Sequence, residues 1–382
     1  MCLLFSILLI AAMMTKTKLL LTITALLLTT ACRKEIETIV VQQVDKVYSW
    51  TEVKQAVGTS RYILNMNKNA DQLYLQTPFY LGVLSPLNKN SYYKQFGAGF
   101  PTDINQRMAI SGVFTAYPLR DTVVNVLQTK NPVSGSGSSI FIRLHQLDPK
   151  ATRVMTADVR FLGDFAAINR NNYLLFAYST ATAPEPNVHF ILTQLSIQTG
   201  QIQAQPRLIT APAPSIFRSG RLRWIVAFDD YFLADMSDAG VYKITQDGKV
   251  RLVTGDTPGS TVRDACYKWQ GVLYIIEEYN SMLVSRDNGE TWQRHTNTPD
   301  AFTFSEYQAV GDSLIGISHA GTTNQLFTLR WNNFSYKIRA LKNDGLERVE
   351  ISSLAGLGDT VYVGTTGGLF KRPLSKFFET KL

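Results

Sequence analysis

Seven charged residues stand directly before short apolar runs that are typical of β-strands, and together they could bind an anion. They are Arg61 before YILN, Arg107 before MAIS, Arg160 before FLGD, Arg223 before WIVA, Arg263 before DACY, Glu306 before YQAV and Glu350 before ISSL. Converging guanidinium groups suit a carboxylate, sulfate or phosphate, because each donates two parallel hydrogen bonds and a concave mouth focuses their field. The alternative is that neighbouring arginines and glutamates neutralise one another on a solvated face. A shift of one residue in register would turn any of these side chains to the other face of its sheet.

Repeated four-strand units must position these residues. Residues 220–254 contain four β-rich runs separated by Asp-Asp, Asp-Ala-Gly and Gln-Asp-Gly-Lys turns. Residues 261–296 and 303–342 have the same layout. Short strands separated by turn residues at regular intervals indicate antiparallel sheets rather than helices.

A marker for the second strand of each unit recurs along the whole chain. The marker runs begin at Gln72, Thr122, Tyr173, Tyr231, Val272, Ser313 and Thr360. Neighbouring markers are 41 to 58 residues apart, which is the spacing of propeller blades. The sequence therefore predicts an all-β fold, a seven-bladed β-propeller of four-stranded antiparallel blades. Six blades is the alternative, and a pair of β-sandwiches is less favoured because the repeat continues throughout.

The last unit, residues 349–377, contains only three strand-like runs. A fourth, outer strand must come from elsewhere in the chain, and the segment Val47 to Val57 is the best candidate. An N-terminal strand in that place would tie the ring shut and cover an open sheet edge.

The stretch SRDNGETW lies in the third turn of the unit that spans residues 261–296. Its Ser285, Asp287, Gly289, Thr291 and Trp292 resemble the Asp-box of BNR-repeat proteins, Ser-x-Asp-x-Gly-x-Thr-Trp. The residue types suit a hairpin turn, because an aspartate accepts backbone N–H bonds, a glycine permits positive φ and a tryptophan fills a seam. In that family the box lies between the third and fourth strands, away from the central site, so we expect a structural role.

Two kinds of propeller carry such boxes. Sialidases are enzymes, and resemblance to them would imply a central arginine triad, a Tyr–Glu nucleophile pair and an acidic proton donor. The single-domain propellers of photosystem assembly and stress protection fit the size of this chain better, and resemblance to them implies binding without hydrolysis.

The N-terminus has the pattern of an export signal. From Met14, the expected true start, two lysines precede the apolar run Leu19 to Leu28, and small residues lead to Cys32. The ending LTTAC resembles the lipobox of bacterial lipoproteins, which implies that Cys32 is acylated and anchors the protein to a membrane. An ordinary signal peptide with an incidental cysteine is the alternative. We expect residues 1–31 to be a signal peptide, 32–59 a tether with the ring-closing strand, and 60–382 the propeller.

Composition narrows the choice of partners. The chain is 45% hydrophobic and 18% charged, and its formal net charge of +8 is dispersed without the Lys/Arg block that follows a nucleic-acid backbone. Cys266 is the single cysteine of the folded part, so we expect no internal disulfide. The four histidines lack metal-ligand spacing, and we expect neither a metal nor another cofactor. We read Asp229-Asp230 and Glu277-Glu278 as solvated residues at strand ends.

These patterns predict a lipoprotein of the cell envelope, on the outer membrane and facing the periplasm or the surface. Its expected function is non-catalytic binding or scaffolding of an unidentified protein or glycan, with an anionic ligand at the axial mouth and no nucleic acid. The alternative is a sialidase-like or other glycan-active hydrolase. In that case Arg160, Arg223 and Arg263 would clamp the substrate, and Glu306 or Glu350 would be a catalytic carboxylate.

Overall fold

Most of the predicted folded region is described by the structure, a computed structural model. The described residues are 49–54, 61–85, 90–95, 107–129, 139–156, 164–181, 186–213, 221–237, 239–255, 263–277, 281–296, 305–318, 325–332 and 335–380. They all belong to one compact unit, Tyr48–Leu382. The predictions for the signal peptide, Cys32 and Arg160 lie outside the described residues.

The first strand and blades 1 and 2 occupy the first part of this unit. After β1 (Thr51–Glu52), blade 1 contains β2 (Asn65–Lys68), β3 (Leu73–Gln76), β4 (Tyr80–Ser85) and β5 (Asn90–Gln95). Blade 2 contains β6 (Ala109–Ile110), β7 (Phe114–Arg120), β8 (Val123–Gln128) and β9 (Ser139–Arg143), and helix α1 (Leu144–Leu147) follows. The marker assigned at Thr122 therefore begins the third strand of blade 2, not the second. Because β6 is only two residues long, β6 and β7 looked like one run in the sequence.

Blade 3 has the longest strands, and blade 4 is regular. Blade 3 contains β10 (Ala151–Val154), β11 (Ala166–Ile168), β12 (Tyr173–Thr180), β13 (Asn187–Gln198) and β14 (Gln201–Pro212). Both β10 and β11 pair with β12, so they share its inner edge. Blade 4 contains β15 (Leu222–Ala227), β16 (Tyr231–Met236), β17 (Gly240–Thr245) and β18 (Val250–Gly255).

The remaining strands form blades 5 to 7. Blade 5 contains β19 (Arg263–Trp269), β20 (Val272–Glu277), β21 (Ser281–Ser285) and β22 (Gln293–Thr296). Blade 6 contains β23 (Ser305–Val310), β24 (Ser313–Ser318), β25 (Gln325–Asn332) and β26 (Ser335–Ala340). Blade 7 contains β27 (Ile351–Leu357), β28 (Thr360–Thr365) and β29 (Gly368–Pro373), and helix α2 (Leu374–Phe377) follows.

The seven sheets close into a ring. From blade 2 to blade 7 the inner strands contact one another in order, and β2 of blade 1 contacts β27 of blade 7. Blades 1 and 2 share an apolar cluster that includes Tyr74, Val83 and Ile110. The protein is a seven-bladed β-propeller, as the marker spacing predicted.

The hydrophobic core is divided among the seams between blades. Seven apolar clusters are present among the described residues, and each joins two neighbouring blades. Strand residues that point to alternate faces thereby contribute to two seams, which explains why the central strands are apolar on both sides. The fold is therefore stabilised mainly by contacts between blades.

An N-terminal strand completes blade 7. Thr51 and Glu52 of β1 pair with Lys371 and Phe370 of β29, so β1 is the outer strand of this sheet. It lies inside the segment 47–57 that the sequence indicated for ring closure. Next to it, the buried Trp50 ring packs edge-on against Phe377, with 6.0 Å between ring centroids.

Polar contacts tie both ends of the described chain to the segment between blades 6 and 7. The Ser49 N–H donates to Asp344 Oδ2 at 2.9 Å. The buried Arg372 donates to the Lys342 carbonyl at 2.9 Å and to Glu379 Oε2 at 2.6 Å. The residues before the first strand and those after the last are thus both tied to residues 342–344, beside the apolar cluster of the seam between blades 6 and 7.

Candidate functional site

The described arginines of the predicted ring are paired with carboxylates of the protein itself. Arg61 is exposed, and its Nη2 pairs with Glu52 Oε1 of the closing strand. Arg223 and Arg263 lie together in the seam between blades 4 and 5. Arg107 lies at the start of the inner strand of blade 2. Each of the four contacts a carboxylate, and the anion-binding mouth itself stays a prediction.

A chain of alternating charges is buried between blades 4 and 5. Asp235 on β16 accepts from Arg223 Nη1 and Arg263 Nη1, both at 3.3 Å. Arg263 Nε lies 3.7 Å from Glu277 Oε1 on β20, and Arg294 Nη2 donates to the same oxygen at 3.0 Å. Asp235, Arg263 and Glu277 are fully buried.

Neutral donors and acceptors complete this cluster. Ser281 Oγ donates to Glu277 Oε2 at 3.0 Å, and Arg263 Nη2 donates to Thr254 Oγ1 at 3.3 Å. Across the seam, Trp224 Nε1 donates to the Arg263 carbonyl at 3.2 Å. Buried charges are tolerated only with this degree of pairing and hydrogen bonding, so we assign the cluster a structural role in holding blades 4 and 5 together.

A β-bulge explains how the two arginines reach the same aspartate. In blade 4, Leu222 pairs with Met236 and Trp224 with Asp235, which leaves Arg223 as the extra residue. In blade 5 the extra residue is at position 264, and Arg263 pairs directly with Glu277. The two arginines therefore occupy non-equivalent positions, although their sequence contexts look alike.

Cys266 lies in the same seam. Burial raises the pKa of its thiol, and the nearby Asp235 carboxylate raises it further. A protonated, half-buried thiol is a poor nucleophile. We therefore assign Cys266 to packing rather than to chemistry.

A second cluster joins blades that are not neighbours. Arg107 Nη2 of blade 2 lies 2.7 Å from Glu306 Oε1 of blade 6 and also donates to the Ser352 carbonyl of blade 7. Asn65 Nδ2 of blade 1 donates to the Met108 carbonyl at 3.0 Å and lies 3.5 Å from Asp164 Oδ1 of blade 3. Contacts between inner strands of non-adjacent blades place these side chains at the centre of the ring.

Acidic groups predominate in this axial cluster. Burial raises the pKa of Asp164 to about 7, Arg107 opposes the shift, and Glu306 adds to it. Glu350 is exposed at the start of blade 7. Burial raises the pKa of Tyr62, Glu350 adds to the rise, and Arg107 opposes it. Among the described side chains, Arg107 thus lies close to the carboxyl groups of Glu306 and Asp164, and Glu350 adds a further negative charge near Tyr62.

The stretch SRDNGETW connects β21 to β22, the third and fourth strands of blade 5, where the sequence placed it. Asp287 Oδ1 accepts from Ser285 Oγ at 2.7 Å and from the Glu290 and Thr291 N–H groups at 3.0 and 2.9 Å. The Gly289 N–H donates to Ser285 Oγ at 2.8 Å, and Gly289 has φ of 83°. The Thr291 hydroxyl also donates to Asp287 Oδ2, at 2.5 Å, and this bond together with those from the Thr291 N–H and Ser285 Oγ lowers the pKa of Asp287 and fixes the turn.

This turn also attaches blade 5 to blade 4. Lys243 of β17 donates from Nζ to the Asn288 carbonyl at 2.8 Å, pairs with Glu290, and lies 4.5 Å from the Tyr231 ring centroid. Arg251 of β18 also pairs with Glu290, at 2.5 Å. The Trp292 ring packs into the apolar cluster of the same seam. The SRDNGETW turn therefore lies at the rim between blades 4 and 5 and not at the centre of the ring.

Sequence reasoning missed two of the residues that matter most. Glu277 was interpreted as solvated, but it is fully buried and paired with arginines. Asp235 was not singled out. Its signal is a lone carboxylate in the apolar run YFLADM, because a charge in a central strand requires a buried partner.

Comparison with known proteins finds similar solved structures but no family. No family model matches the chain, and no curated protein matches it. The computationally designed Ika8 protein aligns with a TM-score of 0.51 and 10% identity over 86% of this chain and 100% of that one. BamB from Moraxella catarrhalis aligns with a TM-score of 0.47 and 10% identity over 85% and 97% of the two chains. Within the described ranges, no helix is both long and apolar enough to cross a bilayer.

Proposed function

We propose that the protein is a non-catalytic binding or scaffold propeller, held at the cell envelope by acylation of Cys32. One observation carries the non-catalytic part. Arg107, Arg223 and Arg263 are each paired with a carboxylate inside the protein, where they stabilise the blades and their contacts, and a hydrolase would need such residues to face its substrate.

The hydrolase alternative requires arginines that are free to clamp a substrate. Arg223 and Arg263 are instead bound to Asp235 inside a seam, and a substrate would have to displace a buried carboxylate. We expect no turnover of fluorogenic sialosides or neutral glycosides by the purified protein. Turnover that falls in Glu306→Gln but not in Glu347→Gln, a substitution elsewhere on the surface, would establish the hydrolase instead.

The axial mouth is a poor site for the anionic ligand that the sequence suggested. Arg107 is already paired with Glu306, and Asp164 and Glu350 lie close to the same cluster. An anion would have to compete with these carboxyl groups for one guanidinium. We therefore place the partner on the outer surface of the propeller rather than at its axis.

Membrane attachment is proposed from the sequence of the leader, and it is tested directly. Cells grown with an alkyne analogue of palmitate should label the wild-type protein, and Cys32→Ala should remain unlabelled. The Cys266→Ala variant is the matched control and should keep the label. Equal labelling of wild type and Cys32→Ala would contradict the anchor and would leave the binding function to be judged by ligand assays.

A further inference from the structure

Blade 3 carries a hairpin that is longer than its own sheet. The strands β13 and β14 have 12 residues each and are joined by Thr199 and Gly200, whose φ angles of 48° and 79° form a tight turn. Tyr173, the first residue of β12, pairs with Gln194. The hairpin beyond Gln194 therefore extends past the rest of the blade, and we call residues 194–205 the tip.

One side of the tip is packed. Leu195 and Ile202 are buried in the cluster between blades 2 and 3, together with Phe114 and Ile142. Gln128 Nε2 of blade 2 also donates to the Gly200 carbonyl at 3.2 Å. The tip is thus held against blade 2, so its other side is presented on a rigid support.

The other side of the tip is a flat array of amide groups. We define the tip face by its three cross-strand pairs, which are Gln194–Gln205, Ser196–Gln203 and Gln198–Gln201. All five glutamines are exposed, and their amides make no hydrogen bond to the part of the chain that the structure describes. Paired side chains stand about 5 Å apart across the hairpin, and successive pairs are about 7 Å apart along it.

The tip face is also uncharged. Residues 186–206 contain no Asp, Glu, Lys or Arg, although 18% of the chain is charged. The outer strands of other blades do carry charge, including Arg143, Arg251, Arg294 and Arg339. Arg207, which follows the uncharged stretch on β14, donates to the Gln246 and Asp247 carbonyls of blade 4.

The chemistry of the tip face selects one class of partner. The tip face has no charge that would attract an ionic ligand. It also lacks the aromatic and apolar side chains that form the core of protein interfaces, so a protein partner is disfavoured. Strand addition would use the edge of β14, where Pro206 cannot donate a hydrogen bond. Each glutamine offers two donors and an acceptor, which match hydroxyl groups in either role.

We propose that the tip face binds a neutral, polyhydroxylated glycan. This inference rests on the proposed binding function and names its partner and surface. A repeated array of amides on a rigid hairpin suits a repeating polymer, because several weak contacts along one chain act together. The absence of charge makes this binding insensitive to salt, in contrast to recognition of an acidic polymer.

The test is native affinity electrophoresis of the purified chain in gels that contain dextran, laminarin or galactomannan. We expect slower migration of the wild type in at least one of them, unchanged between low and high salt. The double variant Gln203→Ala with Gln205→Ala should lose that retardation, with an apparent affinity at least about tenfold weaker if each amide makes one ordinary hydrogen bond. Gln293→Ala, an exposed glutamine on the outer strand of blade 5, is the matched control and should migrate as wild type.

Three results would overturn the inference. The neutral-glycan class is excluded if none of the three neutral polymers retards the wild-type protein, or if only an acidic polymer such as alginate does. Equal retardation of the tip variant places the glycan elsewhere on the protein. Sedimentation that shows a wild-type dimer and a monomeric tip variant identifies the tip face as a self-association surface. None of these results bears on the Cys32 label or on turnover, so the proposed function is judged separately.

Discussion

Neutralising Asp235 should weaken the seam between blades 4 and 5 more than any surface change. Asp235 is fully buried, and both its carboxylate oxygens accept from buried arginines at 3.3 Å. Asp235→Asn keeps the size of the side chain but removes the negative charge that Arg223 and Arg263 share. Removing one partner of a buried ion pair costs about 3 to 5 kcal/mol, because the remaining charge stays out of water. We expect a loss of that size in the free energy of unfolding.

The assay is urea unfolding followed by fluorescence, with the midpoint and the m-value fitted together. Asp229→Asn is the matched control, because Asp229 forms an exposed pair with Arg170 and its loss should cost less than about 1 kcal/mol. The double variant Asp235→Asn with Arg223→Met should lose less than the sum of the single variants, since the two residues share one contact. A loss for Asp235→Asn no larger than that for Asp229→Asn would refute the view that this ion cluster holds the seam.

Three further outcomes are expected. Because the pKa of Asp164 is raised to about 7, the folded protein holds a proton that the unfolded chain releases near pH 4, so this group lowers stability as pH rises between about 4 and 7. Asp164→Asn should therefore flatten the dependence of the urea midpoint on pH. An unchanged slope would contradict the raised pKa of Asp164. Trp50→Ala should lower the free energy of unfolding by about 3 to 5 kcal/mol, measured by thermal unfolding, because it removes the buried ring that packs against Phe377 of α2. A loss below about 1 kcal/mol would mean that ring closure does not depend on Trp50. Asp287→Ala should expose the 285–292 turn to faster limited proteolysis than Asp312→Ala, a turn residue of blade 6, and equal cleavage rates would argue that Asp287 does not fix its turn.

The number of blades was predictable because each blade is a local unit. Its four strands follow one another in the chain, and turn residues separate them, so periodicity along the sequence reports the repeat directly. The same logic located the closing strand, since the last unit lacked one. It failed in blade 2, where the two-residue β6 was not separated from β7 and the marker fell on the third strand.

The arrangement of charges was not predictable in the same way. Arg223 and Arg263 precede similar apolar runs, yet a bulge in each strand decides which residue faces the seam. Register changes of one residue reverse the direction of a side chain, and no local pattern around Arg223 marks the bulge.

By itself, the sequence determined the strand repeat, the turn at SRDNGETW and the need for a borrowed strand, because each of these depends on residues that are close together in the chain. Only the tertiary structure decided what the charged residues do. The partners Arg107 and Glu306 are separated by four blades in the chain and meet at the centre of the ring, and Asp235 is joined to Arg263 across a seam. Such pairs form only when the ring closes, since closure alone brings these residues within a few ångströms and removes the water that would otherwise separate their charges.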